Sequence, residues 1–271
     1  MRPPWPAGRA TREASAPTGG TTIELPRVDV AGLPCTVATI DELCGWVARQ
    51  LDAPRAPERP AATIACVNAH IFNLAWEDPT LRDALAAADV NALDGMSMVW
   101  AARRAGAPRA ERCNMTEAFR AFLLDPDQPP SRAVVVGLDQ ASADRAAAAI
   151  DAAGTHCRVV AAVDGYRPLT DHLDVLATTE ADLVLVGCGT PVSERLLAAA
   201  AAVTPARLVW HVGGGTLNFL AGNGQEAPAW MRRSGTQWLH RLAGDPRGLW
   251  RRYLVGNPRF VWRVRGSRAR S

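Results

Sequence analysis

The residues best suited to chemistry in this 271-residue chain follow short apolar runs, at points where strands would end. Asn68 follows the first run, and Asp94 follows the second, directly before Gly95. A carboxylate at such a point can take a proton from a substrate hydroxyl, or it can cap the following helix. An amide can contact a substrate or close a local turn. Both residues are therefore candidate site residues with a local alternative role.

Glycine-rich turns follow the later apolar runs and would suit an anionic ligand. Small residues let backbone N–H groups approach a phosphate where a helix begins. A strand-to-helix loop also often needs glycine simply to turn, so each turn alone is a weak signal. The ligand-binding candidates in this class are Gly137, Gly187, Gly189, Gly214 and Thr216.

The elements that must position these residues alternate between strand and helix. The apolar runs predict strands at Ala62–Val67, Val90–Leu93, Ala133–Val136, Cys157–Val163, Asp182–Val186 and Arg207–Val212. Amphipathic spacing predicts helices at Ala69–Trp76, Met96–Arg104, Thr116–Leu124, Ser142–Ala153 and Val192–Ala202. This alternation predicts an α/β fold, a Rossmann-like and mostly parallel sheet with helices on both faces. Ligands bind beyond the carboxyl ends of such strands, where the candidate residues lie.

Charge divides the chain into a mildly acidic body and a strongly basic tail. Residues 229–271 hold 11 Arg and one acid, a net charge of +10, whereas residues 1–228 hold 19 Arg and 26 acids, a net charge of −7. Apolar and arginine side chains share two short helical stretches in the tail, 246–255 and 258–265. Four of the nine tryptophans lie in the tail as a whole. Basic helices rich in Trp predict docking on an anionic membrane surface. Packing on the core is the alternative, and the helical spacing of the aromatic residues argues against nucleic acid.

The composition is that of a globular protein and predicts three regions. Residues 1–21 form a disordered lead-in, residues 22–228 an α/β catalytic core, and residues 229–271 a basic amphipathic helical appendage. The core begins with a strand or hairpin at Thr22–Leu33 and a helix at Ile40–Leu51, capped by Thr39 or Asp41. The six cysteines lack metal-ligand spacing, which predicts reduced core thiols. No apolar run is long enough for a membrane span, and the start lacks a signal-peptide pattern.

The chain resembles the WecG/TagA/CpsF glycosyltransferases, glycosyltransferase family 26, from about Arg27 to Arg265. The segments that carry the resemblance include VNAHIFNLAWEDPTLRDALAAADVNALDGMSMVW (67–100), the ER pair at 111–112, DLVLVGCGTPVSE (182–194), GGGTLNFLAG (213–222) and WRRYLVGNPRFVWRV (250–264). The resemblance implies an inverting transfer without metal or cofactor. The sugar, of the N-acetylmannosamine type, would pass from a UDP donor to an N-acetylglucosamine on a polyprenyl diphosphate. The implied setting is cell-surface polysaccharide synthesis at the cytoplasmic face of the membrane.

The resemblance also implies roles for single residues. It makes Asp94 the general base and Asn68 a substrate contact. It makes Arg112 a contact for the diphosphate or the acceptor, with a surface ion pair as the alternative. In the tail, Arg252 and Arg259 would close over the donor diphosphate, because arginine forks can offset the charge of a leaving group.

Four departures from the family pattern surround the expected donor pocket and leave the exact sugar open. Cys66 stands where the family commonly has threonine, Ser193 where it has glutamine, and Asn218 where it has aspartate. Cys113-Asn114-Met115 replaces a small residue and a glycine. An alternative function is therefore a catalytically altered member that binds a sugar nucleotide or lipid carrier without transfer. A dinucleotide-dependent oxidoreductase is disfavoured because no GxGxxG turn follows the first strand. The sequence leaves open whether the protein forms a homo-oligomer.

Overall fold

The structure, a computed structural model, describes residues 24–55, 59–154 and 156–267. The predicted lead-in, residues 1–21, lies outside the described residues. The α/β fold predicted from the alternation of strands and helices is confirmed, because one eight-stranded sheet organises the described chain.

The sheet is parallel except at one edge. Its strands are β1 (Arg27–Val30), β2 (Leu33–Thr36), β3 (Ala62–Val67), β4 (Val90–Leu93), β5 (Ser131–Gly137), β6 (Cys157–Val163), β7 (Leu183–Gly187) and β8 (Leu208–His211). Their order is β1-β2-β4-β3-β8-β7-β5-β6, and only the β1–β2 pairing is antiparallel. The carboxyl ends of β3, β4, β7 and β8 therefore meet at the same edge of the sheet.

Helices connect the strands and form the C-terminal part. They are α1 (Ile40–Asp52), α2 (Ala69–Glu77), α3 (Pro79–Ala87), α4 (Met96–Arg104), α5 (Met115–Leu124), α6 (Gln140–Ala153), α7 (Leu169–Thr178), α8 (Val192–Val203), α9 (Gly214–Leu220), α10 (Ala229–Arg233), α11 (Gln237–Gly244), α12 (Pro246–Trp250), a π-helical turn (Arg251–Val255) and α13 (Gly256–Ser267). Of the two predicted caps for α1, Thr39 is the one used, in a reciprocal capping box with Glu42.

The core lies on both faces of the sheet. Every residue of β7 is buried, as expected for a strand covered by helices on both sides. Trp210 of β8 packs edge-on against Phe119 and Phe122 of α5, with ring centroids 5.7 Å apart in each pair. All six cysteines are free and five of them are buried, which confirms the predicted core thiols.

The last helix of the basic tail packs on the body of the protein. Phe260 of α13 is fully buried and meets Phe72 of α2 edge-on, with ring centroids 5.0 Å apart. The sequence predicts two short helices here, but α13 begins at Gly256 and runs through Pro258 without a break. The N–H of Gly256 bonds to the carbonyl of Arg251, which closes the π-helical turn. The division into core and appendage stays a prediction.

Polar contacts strengthen this attachment along α2. The amide of Asn73 donates to the Gly256 carbonyl at 2.7 Å. The buried guanidinium of Arg263 donates to the Asn73 carbonyl at 2.8 Å and pairs with Glu77 at 2.5 Å. We call these four residues the α2–α13 contact.

Other tail residues leave apolar surface uncovered. The exposed ones are Trp230, Leu239, Trp250, Leu254, Val255 and Trp262. Trp238 is half-buried, with its ring 5.5 Å from that of Tyr253. None of the helices in the described ranges has the length and apolar character needed to cross a membrane.

Candidate active site

A cleft lies where the carboxyl ends of the central strands meet the tail, and it has two lobes. The sheet-edge lobe, of about 300 Å³, is lined by residues that follow the strands, among them Asn68, Asp94, Gly189, His211 and Gly214. The tail lobe, of about 150 Å³, is lined by Arg112, Trp238, Tyr253 and Asn257, among others. Asn68, His70, Asp94, Arg241 and Arg252 line both lobes. The ends of the strands thus bring candidate residues together as the sequence predicts, and Asp94 lies where the lobes meet.

Asp94 is positioned by the strand before it and by one side-chain amide. Its backbone N–H donates to the Val67 carbonyl at 2.9 Å, which continues the β3–β4 pairing. The amide of Asn114 donates to the Asp94 carboxylate at 2.9 Å. The N-cap of α4 is Gly95, which makes no side-chain cap bond, so the alternative role of Asp94 as a cap is not observed. The carboxylate is held by Asn114 and borders both lobes.

Asn68 has its local role and also lines the cleft. Its side-chain oxygen accepts hydrogen bonds from the N–H groups of His70 and Ile71, at 3.0 and 3.1 Å, and so caps α2. The amide nitrogen makes no hydrogen bond within the described residues and is left for a ligand. Capping and substrate contact are thus compatible at this position.

Arg112 forms an ion pair that lies largely inside the protein. Its Nη2 donates to both carboxylate oxygens of Glu117, at 3.1 and 2.9 Å, and to the Arg232 carbonyl at 3.1 Å. The buried Nη1 has no hydrogen-bond partner among the described residues. The surface ion pair considered from the sequence is therefore a partly buried one, in the wall of the tail lobe.

The tail contributes two further arginines to the cleft. Arg252 lies in the π-helical turn, and Arg241 lies in α11 with its Nη2 close to Gly215. Arg252 is among the residues selected from the sequence and Arg241 is not, although Arg241 lies in the segment APAWMRRSGTQWLHRL (227–242), which also resembles the family. Arg259 lies outside the cleft, half exposed and paired with Glu77 at 2.7 Å. The structure thus separates Arg252 from Arg259.

The candidate glycines fall into two groups. Gly137 and Gly187 do not line the cleft, because α9 packs on them. A Cβ at Gly187 would lie 2.5 Å from a Leu217 methyl group, and one at Gly137 would lie 2.7 Å from the Gly187 carbonyl oxygen. Gly189 and Gly214 do line the sheet-edge lobe. Packing alone therefore accounts for the first pair.

Two other selected residues have buried hydroxyl groups. Thr216 lines the sheet-edge lobe, but its hydroxyl donates to the Val212 carbonyl at 2.6 Å. Ser193 is fully buried, does not line the cleft, and has no hydrogen-bond partner for its hydroxyl among the described residues. Neither hydroxyl is free to contact a ligand in this arrangement.

A buried polar cluster lies beside the sheet-edge lobe and consists of Cys66, Thr190, Glu194 and His211. The Thr190 hydroxyl donates to Glu194 at 2.8 Å, and Glu194 lies 3.7 Å from Nδ1 of His211. The Cys66 sulfur lies 3.9 Å from the same nitrogen. Of this cluster only Cys66 was selected from the sequence. Thr190 and Glu194 are close in the chain, but they meet Cys66 and His211 only in the folded structure.

Burial sets the charge states in this cluster. Burial lowers the pKa of His211, although the nearby carboxylates of Glu194 and Asp94 oppose the shift. Burial raises the pKa of the Cys66 thiol well above its usual value, and the same two carboxylates add to the shift. The imidazole is therefore neutral and the thiol protonated near neutral pH. In the described part of the chain, no group of three or more His, Cys, Asp or Glu side chains has an arrangement that could hold a metal ion.

Comparison with known proteins finds relatives that match most of the chain. Residues 28–271 match a family model described as the glycosyl transferase WecG/TagA/CpsF family. An N-acetylglucosaminyldiphosphoundecaprenol N-acetyl-beta-D-mannosaminyltransferase of Bacillus spizizenii is 25% identical over 212 residues, which cover 78% of this chain and 81% of that protein. The protein of the same name from Bacillus subtilis strain 168 is 24% identical over 190 residues, 70% of this chain and 74% of the relative. The family match includes every element that lines the cleft.

Proposed function

Because this chain belongs to the WecG/TagA/CpsF family of glycosyl transferases, we propose that it transfers an N-acetylmannosamine-type sugar from a UDP donor. The acceptor is an N-acetylglucosamine carried on a polyprenyl diphosphate. The two Bacillus relatives are named for that transfer. The transfer inverts the anomeric centre and uses only groups of the protein.

The observation that carries this proposal is the Asp94 carboxylate, held by Asn114 where the two lobes meet. With the donor in the sheet-edge lobe and the acceptor in the tail lobe, the carboxylate lies between the reacting groups. Asp94 takes the proton of the acceptor hydroxyl as that oxygen attacks the anomeric carbon. The bond from this carbon to the UDP oxygen breaks on the opposite face, and UDP leaves with the electron pair.

Positive charge around the cleft supports binding of a diphosphate. Arg241 and Arg252 line both lobes, and Arg112 lines the tail lobe with one buried, unpartnered N–H group. Guanidinium forks form strong charge-assisted hydrogen bonds with phosphate oxygens. We therefore propose that Arg241 and Arg252 stabilise the negative charge that develops on the leaving UDP. The backbone N–H groups around Gly189 and Gly214 would assist them.

The tail supports a site of action at a membrane surface. A polyprenyl-linked acceptor remains in the bilayer, so the tail lobe must approach it. Trp250 and Leu254 are exposed near Arg252, and Trp262 is 73% exposed. Such apolar and basic side chains bind together at anionic lipid interfaces. We propose peripheral docking at the cytoplasmic face of the membrane.

A second candidate function is binding of a sugar nucleotide or lipid carrier without transfer. It is favoured by Cys66, which offers no hydroxyl to the sheet-edge lobe, and by Ser193, whose side chain does not reach the cleft. The contact of Asn114 with Asp94 favours transfer, because a residue that departs from the family pattern here positions the proposed base.

The test is UDP release by Asp94→Asn, with UDP-N-acetylmannosamine as donor and a polyprenyl-diphosphate-linked N-acetylglucosamine as acceptor. A general base typically contributes about 10²- to 10⁴-fold, so we expect a loss of that size with binding of the donor retained. Asp83→Asn, on the exposed face of α3, is the matched control and should release UDP at the wild-type rate.

Two outcomes would contradict this scheme. Wild-type turnover by Asp94→Asn would remove Asp94 from the reaction. If the wild-type chain binds UDP-N-acetylhexosamines but releases no UDP with any of them, the second candidate function is correct instead.

A further inference from the structure

The buried cluster of Cys66, Thr190, Glu194 and His211 has no part in the reaction described above. Glu194 is completely buried, and its Oε2 has no hydrogen-bond partner among the described residues. Burying a carboxylate is costly unless neighbouring groups compensate for the loss of water. The carboxylate of Glu194 faces the His211 ring, at 3.7 Å from Nδ1. The side chain of His211 also lines the sheet-edge lobe.

The two neighbours of Nδ1 indicate which ring nitrogen of His211 carries the proton. Nδ1 lies 3.7 Å from the Glu194 carboxylate and 3.9 Å from the Cys66 sulfur. A carboxylate is a much stronger acceptor than a thiol is a donor, so the proton lies on Nδ1 and faces Glu194. The separation is longer than a hydrogen bond, so Glu194 acts on the ring through its charge and not through a direct hydrogen bond. In this tautomer Nε2 is an acceptor.

We propose that His211, positioned by Glu194, determines donor specificity by accepting a hydrogen bond from the sugar of the nucleotide donor. The group it recognises is a sugar hydroxyl or the N–H of an acetamido substituent, because Nε2 can only accept. The inference rests on the proposed function, in that the sheet-edge lobe holds the donor. It assigns a positioning role to Glu194 and a sugar contact to His211.

The placement of His211 supports a contact with the sugar rather than with the diphosphate. It is the last residue of β8, beside β3, and it lies within electrostatic reach of Asp94. The proposed base must reach the acceptor hydroxyl at the anomeric carbon, so groups beside it face the sugar. A neutral imidazole also contributes little to binding a diphosphate, which the arginines hold.

The experiment compares two substitutions that keep different parts of the imidazole. His211→Gln places an amide near the position of Nε2 and keeps an acceptor there, whereas His211→Asn keeps an amide only near Nδ1. Calorimetry gives the dissociation constants of UDP-N-acetylmannosamine and of UDP alone. We expect His211→Asn to weaken the sugar nucleotide about ten-fold and UDP less than two-fold, since one buried hydrogen bond is lost. His211→Gln should stay within about three-fold for both.

Glu194→Gln tests the positioning role, because it removes the carboxylate that selects the tautomer. It should weaken the sugar nucleotide several-fold and leave UDP unchanged. The proposal is overturned if His211→Asn binds both ligands as the wild type does, or weakens both equally. These measurements need no turnover, so a chain that binds donor sugar through His211 but releases no UDP would contradict only the proposed function.

Discussion

At the scale of single residues, the two tail arginines selected from the sequence, Arg252 and Arg259, have different environments. Arg252 lines both lobes of the cleft, whereas Arg259 lies on the outer side of α13 and pairs with Glu77. Arg241, which was not selected as a site residue, takes the place in the cleft that the sequence assigns to Arg259. Arg241 can reach a ligand in the cleft because it lies close to the glycine turn at Gly215. Its position in the sequence does not show this.

This difference leads to a prediction for a matched pair of substitutions, Arg241→Lys and Arg259→Lys. Lysine keeps the charge but loses the planar fork, so Arg241→Lys should weaken UDP binding about ten-fold. Arg259→Lys removes only an exposed ion pair, which contributes little, and should bind UDP as the wild type does. Calorimetry with UDP measures both. Equal losses in the two variants would mean that the tail acts only through its total charge.

The sequence could predict those site residues that follow strands, but not those that other elements bring to the cleft. Asn68 and Asp94 lie next to each other because their strands are parallel neighbours. His211 ends a strand too, but nothing local indicates that Glu194 would lie beside it. Arg241 enters through packing of the tail, which depends on contacts between residues more than 100 positions apart.

At the scale of elements, α2 connects the cleft with the tail. Asn68 caps its first turn beside Asp94, and Asn73 and Glu77 hold α13 at its other end. Asn73 binds the carbonyl of Gly256, the residue that directly follows the π-helical turn. This hydrogen bond therefore fixes the end of the turn that carries Arg252. The α2–α13 contact should therefore stabilise both the fold and the position of Arg252.

The prediction for this contact compares Arg263→Lys with Arg265→Lys on the same helix. Arg263 is buried and donates to both Asn73 and Glu77, so its loss should lower the free energy of unfolding by about 1–3 kcal/mol. Arg265 is exposed, so its substitution should change that free energy by less than about 0.5 kcal/mol. Denaturant unfolding measures both changes. A loss in Arg265→Lys as large as that in Arg263→Lys would contradict a specific contact.

The strands were more predictable than the helices, for physical reasons. Buried strands form continuous apolar runs, and β3 and β4 match their predicted bounds for this reason. The edge strand β6 also matches its predicted bounds, although several of its residues are at least partly exposed. The helices without a predicted counterpart are α3, α7, α9, α10 and α11. The apolar faces of α3 and α7 are short, although Asp78-Pro79 is a recognisable start for α3. Pro258 suggested a break in the tail, but the π-helical turn before it leads into α13 without one.

At the scale of the whole molecule, the tail exposes apolar and basic side chains close together in sequence. Trp250 and Leu254 are 43% and 59% exposed, close to the arginines of the π-helical turn. The distant edge of the sheet has an exposed aromatic residue as well, Tyr166 after β6. The segment around Tyr166, residues 161–171, has one arginine and two aspartates, which makes this residue a useful comparison.

We predict that Trp250→Ala combined with Leu254→Ala lowers binding to anionic phospholipid vesicles about ten-fold, because two interfacial apolar contacts are lost. Tyr166→Ala should bind as the wild type does. Vesicle flotation at physiological ionic strength measures the bound fraction. UDP release with a short-chain, water-soluble acceptor should be unchanged in the double variant. Equal flotation of all three proteins would mean that these tail residues do not contact lipid.

The length of α2 has a consequence for which sequence changes this protein can accept. An α-helix turns by about 100° per residue, so an added or deleted residue within Ala69–Asn73 would rotate Asn73 away from the Gly256 carbonyl. The cap at Asn68 would stay in place, but the side chain that binds α13 would move to another side of α2. Loops elsewhere can change in length, but the number of residues between Asn68 and Asn73 must stay constant. Within α2, changes at the cleft must therefore come from substitutions and not from insertions.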